Sequence, residues 1–207
     1  MAYCDWGTTD ELMRPYHDRE WGEPVHDDRT QFEHLSMEVL QCGLNWRMML
    51  VKRDVFRTCF ANFDVDTVAA FGEEDVERIL ATPGMIRSRP KVEAIVNNAR
   101  CFQRVQAEHG SFSAFLWAYT DNKTVLYNRH DEGWIPASNG LSARISRDLK
   151  ALGFKYTGPV TVYSHLQACG IINDHDAGCP CFARINAAHP TVRRRRYLER
   201  DVQFFGE

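Results

Sequence analysis

The chain has 207 residues, 44% of them hydrophobic and 26% charged, with a formal net charge of −3. That balance fits a globular protein long enough to bury a sizeable core, and it excludes a protein that coats nucleic acid by bulk positive charge while leaving room for a local basic face. No apolar run approaches the roughly 18–20 residues needed to cross a bilayer. The start Met1-Ala2-Tyr3-Cys4-Asp5-Trp6 lacks the basic region and apolar stretch of a secretion signal, so no membrane association is expected and the expected compartment is the cytoplasm.

Helical periodicity recurs along the chain. From Thr30 to Cys42, Phe32, Leu35 and Val39 share a face; from Asn45 to Phe60, Trp46, Met49, Leu50, Phe56 and Phe60 do the same. Asp64 can cap a short segment through Val68 and Phe71, and Glu73, Glu74 and Asp75 suit the start of a helix carrying Val76, Ile79 and Leu80. Pro90 can open the next, whose stripe is Val92, Ile95, Val96, Ala99 and Phe102. Further helices are expected around Phe112 to Tyr119, from Ile145 to Leu152 ending at Gly153, and from Val160 to Cys169 ending at Gly170. The region from Thr120 to Leu141 reads as loop, no period-two pattern is sustained, and an all-α fold is expected.

Seven cysteines, odd in number and irregularly spaced, read as reduced thiols or metal ligands. Cys4 and His17 near one end of the chain, with His175 and Cys179 near the other, offer the two thiolates and two imidazoles that structural zinc prefers, and such a site would tie the ends together. Cys181 is a competing ligand, because Cys-x-Cys brings a second thiol within reach.

Between two expected helices lies Pro83-Gly84-Met85-Ile86-Arg87-Ser88-Arg89-Pro90-Lys91. A glycine turn there can aim backbone N–H groups at a phosphate, with Arg87, Arg89 and Lys91 supplying positive charge; an ordinary interhelical turn with solvated charges is the alternative. The Arg193 to Arg196 run reads as a solvated or frayed tail.

These residues together resemble the 3-methyladenine DNA glycosylase I family of helix-hairpin-helix glycosylases, over most of the chain from Cys4 to about Cys181. The likeness is carried by Cys4-x-Trp6, Tyr16-His17-Asp18-x-Glu20-Trp21-Gly22-x-Pro24, Phe32-Glu33, Glu38, Gln41-Cys42-Gly43-Leu44-Asn45-Trp46 and Gly84-x-Ile86-Arg87-x-Arg89-x-Lys91. It continues through Gln167-Ala168-Cys169-Gly170 and Asn173-Asp174-His175-x3-Cys179. The resemblance implies a structural zinc ion on Cys4, His17, His175 and Cys179. It also implies an aromatic base pocket built from Trp6, Tyr16, Trp21 and Trp46, with Glu38 as its polar, catalytic reader, and backbone contacts to DNA from Gly84, Ile86, Arg87, Arg89 and Lys91.

Two positions depart from the family pattern and are expected in the pocket: Met13, where the family carries tyrosine, and Asn45, where it carries serine. The activity implied is monofunctional hydrolysis of the N-glycosidic bond of 3-methyladenine in double-stranded DNA, with the nucleotide flipped out and the free base released. The rival readings are a protein of altered lesion choice, a lesion binder without excision, and a zinc hydrolase with an open fourth position. The expected organisation is one monomeric glycosylase domain of two lobes, about 1–60 with 110–185 and about 61–109, followed by an extension over 186–207.

Overall fold

The computed structural model describes residues 4–8, 10–127 and 135–194. A 3-10 turn at Asp5–Thr8 precedes α1 (Met13–Arg19), α2 (Asp28–Gln41), α3 (Trp46–Cys59), α4 (Val65–Ala69), α5 (Glu73–Ala81) and α6 (Arg89–His109). Then follow α7 (Phe112–Trp117), strand β1 (Thr124–Tyr127), α8 (Gly140–Ala151), α9 (Pro159–Ala168), α10 (Pro180–Ala188) and strand β2 (Thr191–Arg194). None of the described helices is long and apolar enough to cross a membrane.

The helix starts are chemical. Asp27, Asn45, Asp64, Ser111 and Asn139 each accept a hydrogen bond from a backbone amide in the first turn of α2, α3, α4, α7 and α8, occupying donors that have no partner inside the helix. Proline occupies the first turn of α6, α9 and α10, where its missing N–H costs nothing.

α2 is the central element. Every residue from Gln31 to Leu40 is buried, because α6, α9, α3 and α7 all pack against it. Its start is bolted to α7 by Asp28, whose carboxylate accepts from the amides of Phe112 (2.9 Å) and Ser113 (2.8 Å) and from Gln106 Nε2 (2.8 Å).

The all-α expectation is corrected in one place. β1 and β2 form a parallel pair, Thr124 opposite Thr191 through Tyr127 opposite Arg194. All four residues of β1 are buried, so the strand carries no alternation, and parallel partners far apart in sequence leave no hairpin signature. Arg193 and Arg194 therefore belong to a strand and not to a frayed tail, while Arg195 and Arg196 lie outside the described residues.

One close approach sets the path of the chain toward the site. Gly170, at φ +69°, lies against Glu23, so a Cβ there would sit 2.4 Å from the Glu23 carbonyl carbon. Beside it Gly22 N donates to Gln167 O and Val25 N to Cys169 O, each at 3.1 Å, holding the segment after α1 across the end of α9. Gly170→Ala is expected to destabilise the protein by about 2–4 kcal/mol in denaturant unfolding, combining a backbone clash with a positive φ.

Candidate functional site

A cavity of about 280 Å³ opens among α1, α2, α3 and α9, lined by Trp6, Met13, Tyr16, Trp21, Glu38, Gln41, Trp46, Ser164 and Gln167. Four of these nine residues are aromatic. Trp6 meets Trp21 edge to face (centroids 4.9 Å apart, 84°) and lies 6.3 Å from Tyr16, which in turn lies 5.4 Å from Trp46. Edge-to-face and tilted pairs of this kind suit the quadrupoles of the rings.

Glu38 sits one turn before the end of α2, only 5% exposed. No residue among those described pairs with its carboxyl, and burial alone pushes it up to about 8. An unpaired carboxyl in an apolar pocket resists ionisation and is stabilised as carboxylate by a cation placed beside it. Tyr16 is also held well above its usual range, by burial and by Glu38 and Glu20, so its phenol stays neutral.

The pocket helices are braced from behind. Arg53 of α3 donates to Glu33 of α2 (2.6 Å) and to Glu20 after α1 (2.8 Å), and Arg57 joins Glu33 at 2.8 Å. Burial raises the Glu33 carboxyl, but the two guanidinium groups outweigh it and hold the group below its usual value.

The four expected ligands converge. Cys4, His17, His175 and Cys179 are all buried, and their ligand atoms lie within 4.8 Å of one another. His17 Nε2 is 3.2 Å from His175 Nδ1, the Cys4 sulfur lies 3.6 Å from His175 Nδ1, and the Cys179 sulfur lies 3.7 Å from His17 Nε2 and 3.8 Å from His175 Nδ1. A tetrahedral ion with bonds of about 2.3 Å to sulfur and 2.0–2.1 Å to nitrogen separates its ligands by roughly 3.3–3.8 Å. The tautomers agree: His175 Nε2–H donates to Trp21 O (2.9 Å) and His17 Nδ1–H to Asp18 (2.8 Å), which leaves two lone pairs facing each other across the cluster. A cation between them removes that repulsion. Cys181 lies to one side, its sulfur 4.0 Å from Asp18, in a lesser group with His17 and Asp18.

Not every sequence-derived site residue takes the place expected of it. Met13 lines the cavity, but Asn45 does not: its side chain accepts from Met48 N at 2.9 Å and caps α3. An asparagine just ahead of a periodic run is an N-cap signature, so the correction was available in the sequence. Gln41, Ser164 and Gln167 are additional lining residues, two pairs spaced i, i+3 on α2 (Glu38, Gln41) and α9 (Ser164, Gln167). Gln167 is oriented by Asp174, which accepts from its Nε2 at 2.8 Å.

At the turn between α5 and α6, Gly84 has φ +84° and Arg87 is exposed, while Ile86 packs against the core. The amides of Gly84, Ile86 and Arg87 donate to no acceptor among the described residues. Two of the five expected phosphate contacts are otherwise engaged. Arg89 is paired with Glu73, Glu77 and Glu93, and Lys91 is turned inward, its Nζ donating to Leu40 O and Cys42 O, each at 2.7 Å.

The Glu38 environment has a direct consequence for stability. Its carboxyl in the folded protein, at about 8, stands above its ordinary 4.5, so the folded state binds the proton more tightly and loses stability as pH rises from about 4.5 through about 8. Glu38→Gln lacks that loss. Urea midpoints measured from pH 4.5 to 9 should show the variant gaining on the wild type across this window; parallel profiles would contradict an unpaired, buried carboxyl.

Comparison with known proteins agrees with this geometry. A family model described as Methyladenine glycosylase matches residues 6–183. The DNA-3-methyladenine glycosylase 1 of Escherichia coli (strain K12) is 40% identical over 182 residues, which are 88% of this chain and 97% of that protein. A crystal structure of 3-methyladenine DNA glycosylase I superposes with a TM-score of 0.82 at 42% identity, covering 87% of this chain and 99% of the other. A second, of a variant of 3-methyladenine DNA glycosylase I in complex with 3-methyladenine, gives a TM-score of 0.82 at 34% identity, covering 87% and 97%. With a match over most of its own length and nearly all of theirs, the chain belongs to the methyladenine glycosylase family.

Proposed function

We propose that the chain excises 3-methyladenine from alkylated double-stranded DNA by hydrolysing its N-glycosidic bond, as a monofunctional 3-methyladenine DNA glycosylase I (EC 3.2.2.20). The observation that carries the reading is Glu38: an unpaired, buried carboxyl beneath indole and phenol rings. Methylation at N3 makes the purine cationic, which weakens the bond to the sugar and favours aromatic faces. Entry of that cation favours the ionised form of Glu38, which then accepts a hydrogen bond from the base. Stacking and this carboxylate hold the departing base while water adds to the sugar, and so poor a grip of the glycosidic bond on a cationic purine calls for little acid catalysis.

DNA reaches this pocket with its nucleotide everted, since a duplex hides the N3 edge. The turn from Pro83 to Ser88 acts as the hairpin of a helix-hairpin-helix, its free amides at Gly84, Ile86 and Arg87 and the exposed Arg87 side chain facing phosphate. The metal is structural zinc. Four buried protein ligands fill a tetrahedral set, which favours a staple over a hydrolytic centre with an open position. Bound there, zinc supplies folding free energy and locks the rings that flank its ligands.

Two measurements test this. Methylated duplex incubated with the protein should release 3-methyladenine, identified by chromatography, and Glu38→Gln should slow single-turnover release by about tenfold or more while leaving the fold intact. Binding of methylated duplex with no base released would instead favour a lesion binder, and release of a different purine adduct would trace to Met13. For the metal, elemental analysis should find one zinc per chain, and Cys179→Ser should lower both zinc content and stability, the latter by about 2–4 kcal/mol or more.

A further inference from the structure

The inward turn of Lys91 gives it a different task from its neighbours in the hairpin. The last carbonyls of any helix lack partners within it and carry the negative end of the helix dipole. At the end of α2 those carbonyls are met from outside. Gln41 O accepts from Leu44 N (2.6 Å), and Leu40 O and Cys42 O both accept from the Lys91 ammonium, which arrives from the first turn of α6.

The stretch held in this way connects the two pocket helices. It begins one turn after Glu38, passes Gly43 at φ +84°, and reaches Asn45, which caps α3 and so fixes Trp46 at its first position. Gln41 spans the same turn through Nε2 to Leu44 O (2.9 Å). A second lysine makes the reverse connection: Lys52 of α3 donates to Gly84 O in the hairpin turn at 2.5 Å. One tie thus runs from α6 to the end of α2, and one from α3 to the hairpin.

From this geometry we infer that Lys91, seconded by Lys52, is a positioning residue that sets Glu38 and Trp46 in register with the DNA backbone held at the hairpin, and that it makes no phosphate contact of its own. The inference rests on the glycosylase reading above. An ammonium shared by two helix-end carbonyls is a stiff joint, and a joint misplaced by about 1 Å at a reacting centre can slow a reaction about 100-fold.

Three variants test it, with wild-type release of 3-methyladenine established first so that failure of the glycosylase reading is seen separately. Lys91→Met is expected to slow single-turnover excision by about tenfold or more, while duplex affinity changes by less than about threefold and the slope of log affinity against log salt stays that of the wild type. Lys91→Arg, which can still donate to both carbonyls, should recover most of the rate. Lys52→Met, at an exposed tie, should show the same signature in smaller measure and keeps the test open if Lys91→Met does not fold. A salt slope shallower by about 0.9 with an unchanged excision rate would assign Lys91 to phosphate and overturn the inference, as would an unchanged rate in both methionine variants.

Discussion

The site depends on the closure of the two chain ends at Cys4, His17, His175 and Cys179. Each element of that cluster also carries or touches a pocket ring. Trp6 follows Cys4 by two residues and stands edge-on to His17 at 5.0 Å; Tyr16 precedes His17; Trp21 packs on His175 at 4.6 Å and accepts its Nε2–H. Asp174, next to His175, orients Gln167. The aromatic wall is therefore an extension of the Cys/His cluster, and a ring cannot move far without disturbing an imidazole. The same anchoring explains why short elements such as α1 and the 3-10 turn at Asp5–Thr8 hold a fixed place, although neither is long enough to be a stable helix alone.

On the opposite wall the constraint is electrostatic. The fold gives Arg53, Glu33, Glu20 and Arg57 to one another behind the pocket, and gives the Glu38 carboxyl no partner among the described residues. A buried carboxyl without a partner is a cost to the folded protein, and such costs cluster where a ligand is meant to supply the missing charge. The contrast between Glu33 and Glu38, five residues apart on one helix, makes the point. Both are buried, yet ion pairing holds one below its usual range while burial drives the other above it.

Much of this was legible in the sequence because it is written in local chemistry. Helix periodicity located α2 through α7 and α9 closely, α8 began at Gly140 inside a stretch read as loop, and the resemblance named Trp6, Met13, Tyr16, Trp21, Glu38 and Trp46, all of which line one cavity. What escaped was set by tertiary partners. β1 is buried on every residue and pairs with β2, whose residues lie beyond position 183 where the family match ends. Lys91 looks like any cation in a basic turn, and only the meeting of α6 with the end of α2 shows that it serves the interior. The residue just before each of α1 and α10 makes no side-chain cap hydrogen bond, so neither start is marked in that way, and Ser164 lies in no recognisable motif.

These two groups of contacts divide the labour of the fold. The cluster at the chain ends stands against the rings that line the cavity, while the lysine ties join the end of α2 to α6 and α3 to the turn between α5 and α6. α2 belongs to both, since its middle is braced by the Arg53 network, its penultimate turn carries Glu38, and its end is held by α6. A helix buried along ten consecutive residues and fastened at its start by Asp28 has little freedom to tilt. That rigidity suits the role proposed for Glu38, which would meet a developing and departing base without rearranging, because preorganised groups stabilise a transition state at no cost in reorganisation when the bond opens.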